Sequence, residues 1–262
     1  MPNDDLFSVT DKVTLVSGGS RGIGKALAKG FAERGAKVII TGRDAETLAQ
    51  TAAELSTPTN PVFPIVCDAA KVEDIQRCVA EVTKQFGRID VLLNVAGVNK
   101  RKPAETYTVE EFDFIIDINL RGAFWMAIEV GKVMLAQGSG SQIHIDSLNT
   151  ASPLKNVTPY AMTKFGISAL SRGLAVEWGP RGVRVNALAP GFILTDLTRK
   201  LWSDPTMEAW GHANTPLRRL GEVDDLIGAA IFLAADASVF MTGQVVRVDG
   251  GFSAGMAWPI PT

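Results

Sequence analysis

Three residues of this sequence have types and a spacing that suit proton transfer at a carbon–oxygen bond: Ser147, Tyr160 and Lys164. Tyr160 and Lys164 stand four apart in a stretch, 160–178, whose apolar residues recur at helical spacing, so they share one helix face. Thr158 and Pro159 form a start signal for that helix. A free phenol releases its proton only near pH 10. A cation within about 4–6 Å favours the phenolate, and Lys164 is the side chain positioned to provide one. A phenol assisted in this way can act as general acid or base near neutral pH. Ser147 lies 13 residues before Tyr160, just past 142–145, an alternating run rich in Ile that reads as a strand. Its hydroxyl would hydrogen-bond the reacting oxygen. Tyr-x3-Lys alone also fits a helix-start Tyr and a solvated Lys. The combination with Ser147 and the features below argues for chemistry.

Such a set works only if a strand end is brought to a helix face. Residues 12–17, 37–41, 62–67, 89–94, 142–145, 183–188 and 244–248 read as strands. Between them lie helical segments at 26–34, 44–55 (capped by Asp44), 72–86 (closed by Gly87), 109–136 (bent or broken near Gly122), 160–178 and 223–235. Segment 192–216 reads as irregular or locally helical, a candidate lid. Strands alternating with helices give βαβ units and a parallel sheet covered on both faces. No linker or repeat divides the 262 residues, so the expectation is one doubly wound, Rossmann-type α/β domain over 1–262. In such sheets ligands gather at the carboxyl ends of the strands, where Ser147 falls.

The first strand runs into Ser17-Gly18-Gly19-Ser20-Arg21-Gly22-Ile23-Gly24. Gly18, Gly22 and Gly24 permit a tight turn and close approach of backbone to a pyrophosphate, and the following helix offers its N-terminus to the anion. About twenty residues further on, NAD-binding folds place a carboxylate for the ribose hydroxyls. Here Gly42 stands in that place, Arg43 follows it, and Arg21 sits in the turn. Two guanidinium groups suit a 2′-phosphate. The expected cofactor is therefore NADP(H), with NAD(H) as the alternative. In that alternative Arg43 is solvated and Asp44, otherwise a helix cap, meets the ribose.

Ser147, Tyr160 and Lys164, with the Gly18, Gly22 and Gly24 turn, resemble the short-chain dehydrogenase/reductase family, and the resemblance spans 11–251. It implies a seven-stranded parallel sheet in the order 3-2-1-4-5-6-7 and hydride transfer between a nicotinamide and a carbonyl or secondary alcohol. It implies a catalytic set of Asn119, Ser147, Tyr160 and Lys164. Tyr160 would carry the proton, Lys164 would assist it and hold the ribose, and Ser147 would position the oxygen. Asn119 would bend its helix and hold a water that links Lys164 to solvent; an Asn tucked against neighbouring carbonyls is the plain alternative. The resemblance gives cofactor contacts to Gly18, Ser20, Arg21, Gly22, Ile23, Gly24 and Arg43, and to Asp68 and Ala69 at the adenine. It adds Asn94, Ala96 and Gly97 after the fourth strand, Tyr160 and Lys164, and Pro190, Gly191, Ile193 and Thr195 towards the nicotinamide carboxamide. Val95 departs from the family's usual Asn and removes a polar side chain there. The resemblance also implies a homotetramer, with the tail past Gly251 that carries Trp258 reaching a neighbouring subunit.

On the substrate side, Asn99-Lys100-Arg101-Lys102 follows the fourth strand. Three consecutive cations suit an anionic substrate such as a sugar acid; a solvated basic loop is the other reading. Arg101 is the choice for a carboxylate, because its planar fork binds bidentately. Asn149 is near enough to Ser147 to contact a substrate hydroxyl. Trp202 and Trp210 either pack the lid or stack on a sugar. His144 reads as a core or helix-facing residue and Trp178 as packing. Within the family the resemblance is to gluconate 5-dehydrogenases and related sugar-acid reductases, on residues 97–104, 219–222 and 243–251. The competing readings are a reductase of 3-oxoacyl or other apolar ketones, and a non-catalytic nucleotide sensor, which needs the glycine turn but not the catalytic set.

Composition narrows the field. A net charge of −2 and a pI of about 5.8 give no reason to expect nucleic acid or a membrane surface as partner. Cys67 and Cys78 make no disulfide framework, and with two histidines there is no metal-spaced cluster. No apolar run reaches membrane-spanning length, and the acidic start lacks the order of a signal peptide. The expectation is a cytoplasmic enzyme acting on a small-molecule carbonyl or alcohol.

Overall fold

In the computed structural model, which describes residues 5–255, seven strands form one parallel sheet. They are β1 (Val13–Ser17), β2 (Lys37–Gly42), β3 (Phe63–Val66), β4 (Val91–Asn94), β5 (Gly140–Ile145), β6 (Val183–Pro190) and β7 (Val245–Val248). Their spatial order is β3-β2-β1-β4-β5-β6-β7, the order the family resemblance implies. The pairing register sets Val16 beside both Ile40 and Leu93, and Pro190 beside Val248.

Neighbouring strand residues point to opposite faces, and each face has its own apolar layer. Val16, Ile40, Leu93 and Ile143 pack with Leu27 and Phe31 of α1 (Gly22–Ala32), Leu48 of α2 (Ala45–Leu55) and Ile231 of α9 (Ile227–Ala234). Leu15, Ile39, Leu92 and Val185 pack on the other side with Ile75 and Val79 of α3 (Val72–Phe86), Met126 and Val130 of α5 (Ala123–Gln137) and Trp178 of α6 (Thr158–Trp178). Trp178 is buried as expected, and a Cβ on Gly131 would run into its ring. The result is a single α/β domain with a helical layer on each side of the sheet.

Several boundaries differ from expectation for identifiable reasons. Helix α1 starts at Gly22, four residues before the expected start, because two glycines of the turn lie inside it where periodicity gives no signal. The long helix is α4 (Val109–Ile116), a π-helical stretch Asp117–Gly122 and then α5. The expected break at Gly122 is therefore a change of hydrogen-bond spacing. Gly122 meets the chain after β3 so closely that a Cβ would strike the Ala69 carbonyl oxygen. Segment 192–216 contains α7 (Asp196–Trp202) and α8 (Pro205–Asn214). A 3-10 turn, Val223–Leu226, precedes α9. Among the described residues no helix is long and apolar enough to cross a membrane. Trp258 and the tail around it lie outside the described residues.

Candidate active site

Strand β5 ends at Ile145, and Ser147 begins a 3-10 turn, Leu148–Thr150, just beyond it. Helix α6 returns with Pro159 in its first turn, so Tyr160 and Lys164 lie near its start. Lys164 is only 4% exposed. A buried ammonium must be paired, and Nζ donates to the Ile145 carbonyl at 2.6 Å. That is its one hydrogen-bond partner among the described residues, so two of its three N–H groups remain for ligands. Its Nζ lies over the Tyr160 ring, 5.4 Å from the ring centre. The structure thus brings the C-terminal end of β5 and both α6 side chains to one place.

Asn119 sits inside the π-helical stretch and is buried. Its Oδ1 accepts from the Val98 N–H at 2.7 Å, and its Nδ2 donates to the Val98 carbonyl at 2.8 Å. The same amide reaches Thr163 Oγ1 at 3.4 Å, and Thr163 donates to the Tyr160 carbonyl at 2.7 Å. Asn119 therefore tethers the loop after β4 to the helix that carries Tyr160 and Lys164. Its side chain does meet a neighbouring carbonyl, as the plain alternative had it.

Ser147 is held from below and from the side. Asp146 accepts from the Ser147 N–H at 2.8 Å, from Thr150 Oγ1 at 3.2 Å and from Ser168 Oγ at 2.6 Å. Burial pushes the Asp146 carboxyl above its ordinary range, against the Ser168 hydrogen bond and the Lys164 charge, which pull it down. Asn149 donates to Ser147 Oγ from its backbone N–H at 3.2 Å and from its Nδ2 at 3.0 Å, and its Oδ1 accepts from the Leu154 N–H at 2.9 Å. Its side chain is thus hydrogen-bonded at both ends, through Nδ2 to Ser147 and through Oδ1 to Leu154. His144 is fully buried beside Lys164, and burial first, then that charge, holds it down at about 3. Asn94 donates to the Ala123 carbonyl at 2.9 Å and lies 3.2 Å from His144 Nδ1. Nδ1 is then the acceptor, and His144 Nε2 carries the proton with no partner among the described residues. The Asn94 amide is therefore turned into the core.

The β1–α1 turn has the shape of an anion cradle. Gly18 and Gly22 have φ of 77° and 53°, conformations that favour glycine. A Cβ at Gly18 would lie 2.8 Å from the Ala96 Cα, and one at Gly24 would run into the Gly18 carbonyl oxygen. The backbone of the turn therefore packs against the Ala96–Gly97 loop with no room for side chains. Ser20 is pinned through its carbonyl by Thr51 at 3.0 Å, and Ile23 is half-buried against the α1 layer. Arg21 and Arg43 are exposed and make no side-chain hydrogen bond or ion pair among the described residues. Asp44 caps α2 by accepting from Thr47 N–H at 2.7 Å, and Thr47, through its side chain first and then its backbone, holds the Asp44 carboxyl low. Asp68 is half-buried, accepts from the Ala70 N–H at 3.1 Å and adjoins Ala69. On the far side, Gly191 follows Pro190 so close to Asp249 that a Cβ would lie 2.5 Å from its Cα. Ile193 bridges to Gly221, and Thr195 caps α7 with Thr198. The glycine turn, the loop after β4 and the Pro190–Thr195 loop all lie at the carboxyl ends of β1, β4 and β6, and a dinucleotide fits that line of backbone and unpaired cations.

The substrate side departs most from expectation. Lys100 and Lys102 both pair with Glu111, at 3.0 and 2.6 Å, and the pairs hold that carboxyl down to about 2. Arg101, exposed between them, makes no ion pair among the described residues. Trp202 is 6% exposed and packs edge-on against Phe192 at 5.1 Å, in a cluster with Leu148 and Leu220. It has no free face to stack on a sugar, so its expected substrate role is corrected. Trp210 also lies against Phe192, at 5.5 Å, and is partly exposed. Asp146 and Thr163 are the residues sequence reasoning passed over. A lone carboxylate inside an apolar strand end was the available sign for Asp146, since a buried charge must be given partners.

Comparisons with known proteins agree with this geometry. A family model described as "Enoyl-(Acyl carrier protein) reductase", one of the short-chain dehydrogenase models, matches residues 18–253. Gluconate 5-dehydrogenase of Gluconobacter oxydans is 36% identical over 97% of this chain and 99% of its own. D-threitol dehydrogenase of Mycolicibacterium smegmatis is 37% identical over 94% and 95%. The crystal structure of a gluconate 5-dehydrogenase from Burkholderia cenocepacia in complex with NADP and tartrate superposes with a TM-score of 0.92 at 35% identity, covering 96% of this chain and 99% of that one. Since likeness of sequence and of fold runs the length of both partners in each comparison, the chain belongs to the short-chain dehydrogenase/reductase family and is an NAD(P)-dependent oxidoreductase acting on CH–OH groups.

Proposed function

We propose that this enzyme uses NADP(H) to interconvert a secondary alcohol and a ketone on a sugar acid, with gluconate and 5-ketogluconate as the first pair to test. The observation that supports the reaction is buried Lys164, which lies over the Tyr160 ring and donates to the Ile145 carbonyl at the end of β5, two residues before Ser147. When bound, the nicotinamide supplies or accepts the hydride. The Tyr160 phenol gives its proton to the ketone oxygen in reduction and takes it back in oxidation. Lys164 sets its positive charge over the Tyr160 ring and offers its two remaining N–H groups to the cofactor ribose. Ser147 holds the substrate oxygen, and Asn119 ties the loop after β4 to α6. This division of labour leaves the nucleotide-sensor reading without a use for the buried Lys164.

For the cofactor, the choice of NADP(H) over NAD(H) rests on Arg21 and Arg43, both unpaired among the described residues, and on Asp44 capping α2. Gly18, Ser20, Gly22, Ile23 and Gly24 form the pyrophosphate cradle in this reading. Asp68 and Ala69 face the adenine, Ala96 and Gly97 the middle, and Gly191, Ile193 and Thr195 the carboxamide. For the substrate, Arg101 is the cation left over for a carboxylate. The sugar-acid relatives, and the hydroxy acid tartrate in the Burkholderia complex, support that class. We take the working form to be a cytoplasmic homotetramer, a reading supported by the exposed Phe124 of α5 and Phe165 and Val176 of α6. The test is a turnover panel of sugar acids, polyols, 3-oxoacyl thioesters and apolar ketones with both NADPH and NADH. Fastest turnover of an apolar ketone or thioester would overturn the substrate reading, and cofactor binding without any turnover would overturn the enzyme's catalytic assignment.

A further inference from the structure

We infer that Asn149 is a positioning residue that sets the direction of the Ser147 hydrogen bond, making Ser147 an obligatory donor to the substrate oxygen. The inference rests on the reading that Ser147 holds that oxygen.

A serine hydroxyl has one hydrogen and two lone pairs. Asn149 brings two N–H groups to Ser147 Oγ, its backbone amide at 3.2 Å and its Nδ2 at 3.0 Å. The orientation of the side-chain amide follows from the network. The Leu154 N–H, which can only donate, points at Asn149 Oδ1 at 2.9 Å, so Nδ2 must face the serine. Ser147 and Asn149 are 6% and 5% exposed, which keeps solvent from competing for those lone pairs. Among the described residues Ser147 Oγ donates to nothing. With both lone pairs filled, the hydrogen has one use left, a bond to the oxygen that Ser147 holds.

The polarity matters because negative charge grows on the substrate oxygen as hydride arrives or before it departs. A donor aimed in advance at that charge stabilises the transition state without reorganising. A hydroxyl free to turn would present a lone pair part of the time. Two N–H donors on the oxygen also polarise the O–H bond and strengthen it as a donor. Asn149 would do this without touching the substrate.

The test is Asn149→Asp, nearly the same shape, which keeps an acceptor for the Leu154 N–H and replaces the donor to Ser147 by a carboxylate oxygen. Ser147 would then donate to Asp and turn its lone pair to the substrate. The probe is NADPH with the ketone that the wild type reduces fastest in the panel above. Expected is a fall in kcat of about 10²–10³-fold, the size of losing one oxyanion donor. KM and NADPH affinity, read by cofactor fluorescence, should stay within about threefold, a change too small to count as a lost contact. As pH falls through the carboxylate range, protonation returns a donor to Ser147, and the ratio of variant to wild-type kcat should rise. In a Ser147→Ala background the same substitution should change kcat by less than about twofold, because residues acting as one unit are not additive. Should the Asp variant fold poorly, as judged by its thermal midpoint, Asn149→Ala replaces it. That variant keeps the backbone N–H, and its smaller loss should likewise vanish without Ser147. Equal losses with and without Ser147, or no loss with it present, would overturn the inference. Full activity of Ser147→Ala alone would instead overturn the reading of Ser147 and, with it, this inference.

Discussion

Arg43→Asp is expected to turn cofactor preference from NADP(H) towards NAD(H) by about a hundredfold. Arg43 is exposed and, among the described residues, unpaired, so its hydrogen bond to a 2′-phosphate belongs at the low end of charge-assisted values, about 1.5 kcal/mol, or roughly tenfold. The new carboxylate adds repulsion. At about 5 Å and an effective dielectric near 20, two unit charges interact by about 3 kcal/mol. Screening by salt at a surface site cuts that by roughly half, leaving another tenfold. Asp44 does not take over the role of the lost arginine's partner, because its carboxylate already caps α2 through Thr47. The assay is kcat/KM for NADPH and NADH at fixed ionic strength, with Arg21→Ala alongside. A shift that grows as salt is lowered would fit the electrostatic origin. An unchanged ratio in Arg43→Asp, with a large shift in Arg21→Ala, would move phosphate recognition into the glycine turn. Unchanged ratios in both would refute the reasoning.

Three further outcomes follow from the same geometry. Tyr160→Phe should lower turnover by about 10²–10⁴-fold or more while NADPH binding, followed by fluorescence, holds; near-wild-type turnover would remove Tyr160 from the proton's path. Arg101→Ala should lower kcat/KM for a sugar acid by about 10–100-fold and leave a neutral ketone of the same size nearly untouched. Adding Glu111→Gln frees Lys100 and Lys102 and should soften that loss; equal losses on acid and neutral substrates would count against the carboxylate contact. His144 should make the fold acid-sensitive. Unfolded, it takes up a proton near 6.5, whereas folded it is held at about 3, so the unfolded chain binds the extra proton between those values. Stability therefore falls as pH drops through that window, by up to about 1.4 kcal/mol per unit. Urea midpoints at pH 7 and 4.5 should converge for His144→Gln relative to wild type, and parallel slopes would show that the histidine is not the sensor.

The architecture was legible because its signals are redundant. Leu15 and Val16, Ile39 and Ile40, and Leu92 and Leu93 are apolar on both faces, which is how a sheet covered on two sides must read. That Ser147 follows β5 and that Tyr160 and Lys164 share the start of α6 was legible from spacing. The contacts that orient them were not. The direction of the Asn149 amide depends on the Leu154 N–H, and no spacing rule reports a side chain's rotation. Lys100 and Lys102 showed their charge but not that Glu111, beyond the Thr108 cap, pairs with both of them. Trp202 could have faced either way, and only the packing of Phe192 and Leu220 decides it. The π-helical stretch changes hydrogen-bond spacing over six residues, too few to alter a periodic pattern, so only its closing glycine was visible.

The contact of Gly122 with the Ala69 carbonyl has a consequence for engineering. The chain that leaves β3 carries Asp68 and Ala69, which the proposed cofactor reading sets at the adenine, and it bears directly on the close of the π-helical stretch that holds Asn119. The two ends of the cleft are thus one mechanical unit, joined by backbone against backbone, where no side chain can flex to absorb a change. A loop transplanted from a relative to alter nucleotide recognition would arrive with its own carbonyl position. It would need the matching segment across the contact to come with it, or the change would be felt as a misplaced Asn119 amide beside Thr163.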